Sequence, residues 1–366
     1  MDDVKRRLVT DPRYRAGIEA CLEHPTVLIA PTNFCNFACD YCSTKDVSNK
    51  KVNMDLALVE SIVDQCVQHG WNFSFGQTYE PFLHPRINAI IAYVHGKGRR
   101  FNSPTNALAI HGDAYDLPMN LTISYSATES DYRYRNSKIS YVDYRDKVLG
   151  FIRYRIDHGV PGVIALQIAD YSIFNGDLTY SRSIHEIGPI FEKTVQTMRH
   201  LGLATDVDED AWRQRIAARA PLVLHEAGDT KIQVAPTKIL PNTYEAFTEM
   251  PEVSERKGYC DSCYTMMSIQ ADGTVAFCCC DPSAKVVAGS ITAETDLQEF
   301  WLGEAMSEIR RSFLGYTPKH DFCVQCLHNV TENTKPLLTV RNPALVAEIL
   351  TDYGISGNLP WFTFPK

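Results

Sequence analysis

The stretch PTNFCNFACDYCS (31–43) sets three cysteines, Cys35, Cys39 and Cys42, four and three residues apart. Cysteines crowded in this way in a reducing compartment serve metal or redox chemistry rather than disulfides. A structural zinc ion takes four ligands, commonly as paired CxxC or CxxC with histidines. Neither His24 nor His69 stands at a spacing that supplies the fourth. Three thiolates can instead hold three irons of a [4Fe–4S] cube and leave the fourth iron open to a substrate or cofactor. Zinc ligation and simple burial as small hydrophobes are the plainer readings of the same residues.

A second group follows far downstream. GYCDSCYTMMSIQADGTVAFCCCD (258–281) carries Cys260, Cys263, Cys278, Cys279 and Cys280, and Cys323 and Cys326 form a later C-x-x-C pair. MMSIQ and TVAFC alternate on either side of Ala-Asp-Gly, which predicts a β-hairpin whose Gly273 supplies a positive φ. Cysteines then fall at the outer ends of the hairpin, where four thiolates can close a complete site. On these residues alone, a zinc ribbon and an iron–sulfur cluster both fit. Of the twelve cysteines only Cys21 and Cys66 lie outside the two groups, so two separate metal sites are expected.

These groups need elements to position them. TVLIAPT (26–32), WNFSFG (71–76), RRFNSPTN (99–106), NLTISYS (120–126) and GVIALQIAD (162–170) read as strands, and LATDVD (203–208) as a sixth, weaker one. MDLALVESIVDQCVQHG (54–70) has a helical period, with Leu56, Val59, Ile62, Val63 and Cys66 on one face and Gly70 as its C-terminal cap. Residues 86–98, 141–159 and 184–202 read as further helices. Such alternation predicts an α/β fold with a largely parallel sheet, open or closed into a barrel. Ligands in these folds sit at the carboxyl ends of the strands. The first cysteine loop stands at such an end.

A chain of 366 residues, 45% hydrophobic and 22% charged, can bury a substantial core. Its 36 basic and 44 acidic side chains give a net charge of −8. Without a Lys- or Arg-rich run, nucleic acid is not an expected partner. The opening MDDVKRRLVTDPRYRAG lacks the apolar stretch of a signal peptide. No segment approaches the roughly 20 apolar residues of a membrane helix. A cytoplasmic protein without a membrane partner is expected.

The Cys-x3-Cys-x2-Cys loop after the first strand, with Tyr41 just before the third cysteine, resembles the radical S-adenosylmethionine (SAM) superfamily. The resemblance implies a partial (β/α)6 TIM-like barrel and a SAM-binding [4Fe–4S] cluster on Cys35, Cys39 and Cys42. It also implies the chemistry: an electron from the cluster cleaves SAM, and the 5′-deoxyadenosyl radical abstracts hydrogen from a substrate. FGQTYEPFLHP (75–85) resembles the family's glycine-rich stretch ending in Glu-Pro, which binds the methionine amino group. Gly76, Glu80 and Pro81 match it, and Tyr79 stands where many members have glycine. SPTNALAI (103–110) resembles the Thr-Asn-Gly turn, which implicates Asn106, with Ala107 in the glycine's place. ISYSATESDYRYRNS (123–137) resembles the segment that contacts the cofactor's ribose and carboxylate, which implicates Ser124 and Arg135. The implied cofactor-binding set is therefore Tyr41, Gly76, Tyr79, Glu80, Asn106, Ser124 and Arg135.

The later cysteines resemble the auxiliary-cluster domain of the SPASM/twitch subfamily, a β-hairpin plus helix. No cysteine follows Cys326, which fits the shortened twitch form with one auxiliary [4Fe–4S] cluster. Cys260, Cys278, Cys323 and Cys326 are its implied ligands, with Cys263 competing with Cys260. The expected organisation is an N-terminal extension (1–24), the barrel (25–220), an irregular linker (221–257), the auxiliary domain (258–330) and a tail (331–366). The implied enzyme is an oxidoreductase or epimerase. Its expected substrate is a small polar molecule of sugar, aminocyclitol or nucleoside type, as in antibiotic biosynthesis. In dehydrogenation the auxiliary cluster would accept the electron. In epimerisation a thiol would return hydrogen, with Cys279 or Cys280 as donors and Cys263 and Cys66 as other spare thiols. Peptide modification is the alternative, disfavoured because the 34 residues before Cys35 leave no room for a leader-binding domain. A zinc-binding interaction protein is the non-enzymatic alternative. A flavodoxin or ferredoxin reductant is the implied partner, and Asn102, Gln167, Asp170 and Tyr171 are expected near a pocket.

Overall fold

The five strands expected at the front of the chain form where β-branched and aromatic residues alternate with small polar ones. They are β1 (Thr26–Ile29), β2 (Asn72–Phe75), β3 (Phe101–Thr105), β4 (Met119–Tyr125) and β5 (Gly162–Asp170). The computed structural model describes residues 2–42, 44, 50–76, 78–176, 183–239, 256–278, 281, 284–329, 336–359 and 361–365. Helices Leu56–Gln68, Ile87–Gly96 and Tyr141–Asp157 connect strands, and Ile187–Leu201 follows β5. The first buries Val59, Ile62, Val63 and Cys66, as its period predicts, and starts where the Asp55 carboxylate accepts the Ala57 N–H at 2.9 Å. Between β3 and β4 a 3-10 turn at Gly112–Asp116 takes the place of a helix.

The sixth strand is not LATDVD. Residues 203–208 form no strand, and Asp208 instead caps helix Glu209–Ala217 by accepting the Ala211 N–H at 3.0 Å. The sheet continues with β6 (Leu222–Ala227) and β7 (Thr230–Lys238). β7 pairs parallel with all of β5, from Gly162↔Thr230 to Asp170↔Lys238, and β6 lies antiparallel on its outer side. The segment 221–257, expected as an irregular linker, thus opens with a hairpin; its residues 240–255 lie outside those described. TKIQVAPTK buries every second side chain. Pro236 is accommodated because β6 pairs no further than Val234, so the missing N–H costs no ladder bond on that side.

The C-terminal hairpin is present, as β8 (Met266–Ile269) and β9 (Thr274–Ala276), followed by β10 (Val287–Ser290). The sheets run β10-β9-β8-β1-β2 and β3-β4-β5-β7-β6. The Ser74 hydroxyl donates to the Asn102 carbonyl at 3.1 Å and joins β2 to β3. Six parallel strands, β1 to β5 and β7, make the partial TIM-like barrel. β8 pairs parallel with β1 from Thr26↔Met266 to Ile29↔Ile269, so the auxiliary hairpin extends the barrel's own sheet.

Helices Leu297–Leu302 and Glu304–Leu314 cover this hairpin, and helix Asp321–Asn329 carries the last two cysteines. Trp301 is fully buried and donates its indole N–H to the Leu22 carbonyl at 2.9 Å. The N-terminal extension and the tail are helical and meet each other. Arg13 bonds Asp352 at 2.6 Å, and the Tyr353 hydroxyl donates to Asp11 at 2.6 Å. Among the described residues no helix is long and apolar enough to cross a membrane.

The hairpin turn fixes one residue type. Gly273 sits at φ +84°, its N–H donates to the Gln270 carbonyl at 2.9 Å, and a Cβ there would stand 2.5 Å from the Ile291 carbonyl oxygen. Gly273→Ala is expected to destabilise the protein by roughly 2 kcal/mol. A lowered urea midpoint would show it, and an unchanged midpoint would contradict the turn described here.

Candidate active site

The chain leaves β1 at Ile29 and enters a loop pinned at both ends. Asn33 holds it at one end, donating through its amide to the Lys50 carbonyl (2.8 Å) and accepting the Val52 N–H (2.7 Å). At the other end the N–H of Ala38 donates to the Arg135 carbonyl (3.3 Å) and that of Asp40 to the Tyr134 carbonyl (2.9 Å). The Cys42 N–H closes back on the Cys39 carbonyl at 3.0 Å. Cys35 is exposed as a residue, Cys39 buried and Cys42 half-buried. Desolvation nonetheless pushes the Cys35 thiol up to about 11, and raises Cys39 as well, with neighbouring thiols adding to both. Grouped, shielded thiols of this kind become good thiolate ligands once a metal supplies positive charge.

Two buried charges of opposite sign flank the loop. Glu80, 1% exposed, accepts from the Thr105 hydroxyl (2.7 Å) and the Asn106 N–H (2.8 Å). Burial still lifts its carboxyl to about 7. Arg135, 3% exposed, donates to the Ser126 hydroxyl (2.8 Å) and the Ser124 carbonyl (2.7 Å), with Phe37 and Tyr144 rings against its guanidinium. Among the described residues neither Glu80 nor Arg135 belongs to an ion pair. Buried charges are ordinarily paired, and this set fits a zwitterion: an ammonium for Glu80, a carboxylate for Arg135. The three thiols and these two charges therefore fit the groups that the loop's resemblance implies.

The other expected residues fall around this centre. Gly76 has φ +69° and a Cβ on it would meet Pro81 Cγ at 2.1 Å, so only glycine lets the Glu-Pro turn fold back. Tyr79 is buried beside Lys51 and near Cys42 and Cys35. The Asn106 amide donates to Asn36 Oδ1 at 2.7 Å, and Ala107 takes the left-handed conformation (φ +64°) of the glycine it replaces. Tyr41 lies edge-on to Tyr171 and Phe174. Ser124 is half-buried, with its hydroxyl at 3.4 Å from Gln167 Oε1. Asn102 lines a cavity inside the barrel. Asp170 is not a pocket group: its buried carboxylate accepts N–H groups from Ser172, His185 and Glu186. Thr105, Ser126 and Asn36 escaped the sequence reading. Thr105 and Ser126 were legible only as the hydroxyl residues that buried Glu80 and Arg135 would need.

In the second group Cys260 is half-buried, and Cys263 is fully buried with its thiol donating to the Cys260 carbonyl at 3.5 Å. Arg310, stacked on Trp301, donates to the Cys263 carbonyl at 2.9 Å. Burial raises the Cys323 thiol to about 12, and the neighbouring Cys260 and Asp281 push the same way. Cys260 and Cys323 are thus near each other, while Cys263 belongs to the packed core. Cys278 follows β9, and Cys326 follows Cys323 by three residues on one helix, both half-buried. Cys66 is core, its thiol pushed up to about 12 by burial. Cys279 and Cys280 lie outside the described residues. None of the ten described cysteines is in a disulfide, and no three described His, Cys, Asp or Glu side chains converge on one metal ion.

Because β8 runs parallel to β1, Cys260 precedes the amino end of that ladder and Cys35 follows its carboxyl end. The two sites stand at opposite ends of a pairing about 13 Å long.

Comparison with known proteins agrees with this division. Residues 29–166 match the model of the radical SAM superfamily, and residues 260–327 match that of SPASM, an iron–sulfur cluster-binding domain. No curated protein matches the sequence. Among solved structures, Streptococcus suis SuiB bound to S-adenosylmethionine is 17% identical, with 88% of this chain and 76% of that chain covered and a TM-score of 0.52. SuiB bound to precursor peptide SuiA gives 15%, 88%, 74% and 0.51. BtrN in complex with AdoMet and 2-DOIA is 12% identical, over 82% of this chain and 92% of that chain, with a TM-score of 0.42.

Glu80 yields a pH test on the cluster-free chain. A carboxyl raised by folding binds its proton more tightly in the folded state, so stability is highest below the unfolded value and falls as pH rises towards 7. The rise from 4.5 to about 7 corresponds to roughly 3 kcal/mol. Urea unfolding of wild type should lose stability across that window relative to Glu80→Gln. Equal slopes for the two proteins would contradict a buried, unpaired Glu80.

Proposed function

The chain belongs to the radical SAM superfamily and carries a SPASM iron–sulfur domain, and from this we propose that it dehydrogenates a small, hydroxyl-rich molecule of sugar, aminocyclitol or nucleoside type. When bound, the cluster and SAM supply a 5′-deoxyadenosyl radical that removes hydrogen from the substrate. In our reading Cys35, Cys39 and Cys42 hold that cluster. Glu80 accepts the methionine ammonium, and Arg135 takes its carboxylate. Ser124 offers a hydroxyl to the ribose, and Tyr41 with its aromatic neighbours offers a face to the adenine. Gly76, Tyr79 and Asn106 shape the turns that bring these groups together. Cys260, Cys278, Cys323 and Cys326 hold the auxiliary cluster, with Cys263 left in the core.

The cavity inside the barrel carries the substrate reading. It has a volume of about 320 Å³, opens to solvent, and is lined by Ser74, Asn102, Asn120, Thr122 and Gln233 together with Pro104, Leu121, Val163 and Ala165, with no charged side chain. Asn120 donates to Asn102 Oδ1 at 2.9 Å and accepts the Val163 N–H at 2.9 Å, so these amides are fixed in orientation. Amides and hydroxyls offer both donors and acceptors to a neutral polyol. A built-in auxiliary cluster as one-electron acceptor favours dehydrogenation.

Two measurements test this. Anaerobically reconstituted protein is expected to hold about eight irons with matching sulfide, and Cys323→Ala about four; zinc without sulfide would defeat the reading. Turnover with deuterated polyols is expected to move one deuterium into 5′-deoxyadenosine and give a product two hydrogens lighter. Unchanged product mass with solvent deuterium gained would mean epimerisation, and turnover of peptides alone would replace the substrate class.

A further inference from the structure

A cleft of about 600 Å³ lies beside the cysteine loop, outside the groups used so far. One wall is residues 82–89, which follow Glu80; the others come from residues 108–111 after β3 and from Ile139 and Lys147. Asn36, next in sequence to Cys35 and bonded to Asn106 at 2.7 Å, is part of the same wall. The cleft therefore reaches the cysteine loop from its outer flank.

Its charge is unlike that of the whole molecule. The chain carries −8, yet the cleft is lined by Arg86, His111 and Lys147 and by no aspartate or glutamate. All three basic residues are exposed. Among the described residues neither Arg86 nor Lys147 is in an ion pair. Acidic residues on the adjoining helix are already engaged: Asp143 accepts the Ser140 hydroxyl at 2.7 Å, and Asp146 pairs with Arg145 at 2.7 Å. Leu83 and Ile139 supply apolar contact, and Ile139 is 40% exposed.

We propose that this cleft is the docking site of an acidic one-electron carrier protein that reduces the cluster held by the Cys35 loop. The proposal rests on the radical SAM reading. One electron leaves the carrier and enters the cluster, with no proton or group transferred. Unpaired cations around a small apolar centre suit such a partner: complementary charge steers the encounter, and modest apolar area keeps it transient.

The test compares the double variant Arg86→Glu/Lys147→Glu with the charge-conserving Arg86→Lys/Lys147→Arg. The probe is a photoreduced acidic flavodoxin, and reduced methyl viologen serves as a small cationic control donor. With flavodoxin at low salt, charge reversal is expected to slow cluster reduction at least tenfold, and added salt should narrow the gap. Methyl viologen should reduce both variants at the wild-type rate, and the charge-conserving variant should behave as wild type with flavodoxin. An unchanged flavodoxin rate overturns the docking site. So does an effect confined to substrate KM, which would make the cleft a subsite for a substrate anion. Salt-dependent flavodoxin binding can be read without any cluster, and equal binding by wild type and the charge-reversed variant also overturns it. Absence of a reducible cluster in wild type would instead count against the radical SAM reading, leaving the binding measurement to decide the docking site.

Discussion

The parallel pairing of β1 with β8 is the constraint on which both cysteine sites depend. It is only four residues long, yet the thiol loop emerges from one end of it and Cys260, which neighbours Cys323, precedes the other. A slip of one residue would turn every side chain of β8 to the opposite face and move Cys260 relative to Cys323. Parallel strands need a crossover, and here the crossover is the whole barrel, from Ile29 to Met266. The ladder can close only after everything between has been placed, which makes it a contact of very high sequence separation. Trp301 braces it from outside, its indole bonded to Leu22 just before β1. The auxiliary hairpin is therefore part of the barrel's sheet rather than an appendage on a tether.

At the carboxyl end, one short segment has two tasks. Arg135 presents its guanidinium to the buried centre, while its own carbonyl and that of Tyr134 hold the backbone of residues 38 and 40. Any movement that changes the buried charge also moves the loop that bears Cys39 and Cys42. Glu80 is tied in the same way, its N–H donating to the Phe34 carbonyl at 3.0 Å and its carboxyl accepting from the Thr105 hydroxyl at the end of β3. Burial makes the ionised Glu80 carboxylate costly, and Arg135 offsets part of that cost. A zwitterion bridging them would remove that penalty and stiffen the loop together, so cofactor binding and loop order are one equilibrium.

Much of this was legible in the sequence because local chemistry decided it. Five strands carry clear alternation, the helix at 56–68 carries a clear period, and cysteine spacing marks both sites. Glycine at 273 announced its turn. What the sequence hid was decided at long range. TKIQVAPTK was obscured by its proline and by neighbouring turn residues, because only the observed pairing shows that β6 stops before Pro236. In LATDVD, Leu203 packs against the core from the end of the preceding helix and the last aspartate caps the next one, so no strand forms. Cys260 and Cys263 both lie at allowed distances before Gly273, and only the full burial of Cys263, with its carbonyl held by Arg310, distinguishes them. The β1–β8 pairing itself leaves no local signature at all.

The neutral lining of the barrel has a consequence for what can be oxidised there. An alcohol both donates and accepts hydrogen bonds, whereas the carbonyl it becomes only accepts. A carboxylate in the wall would hold the alcohol and repel the product's oxygen, opposing the oxidation. The amide groups of Asn120 and Gln233 carry N–H donors that would serve both, and the hydroxyl of Thr122 can rotate from acceptor to donor, while that of Ser74 is committed to the Asn102 carbonyl. Such a wall would follow the substrate through loss of one hydrogen atom, one electron and one proton, with the proton passing to water because no lining side chain is a base. In the dehydrogenation proposed above, metal groups on the two cysteine sets would handle the electrons, and the cavity would be left to hold shape and hydrogen bonds.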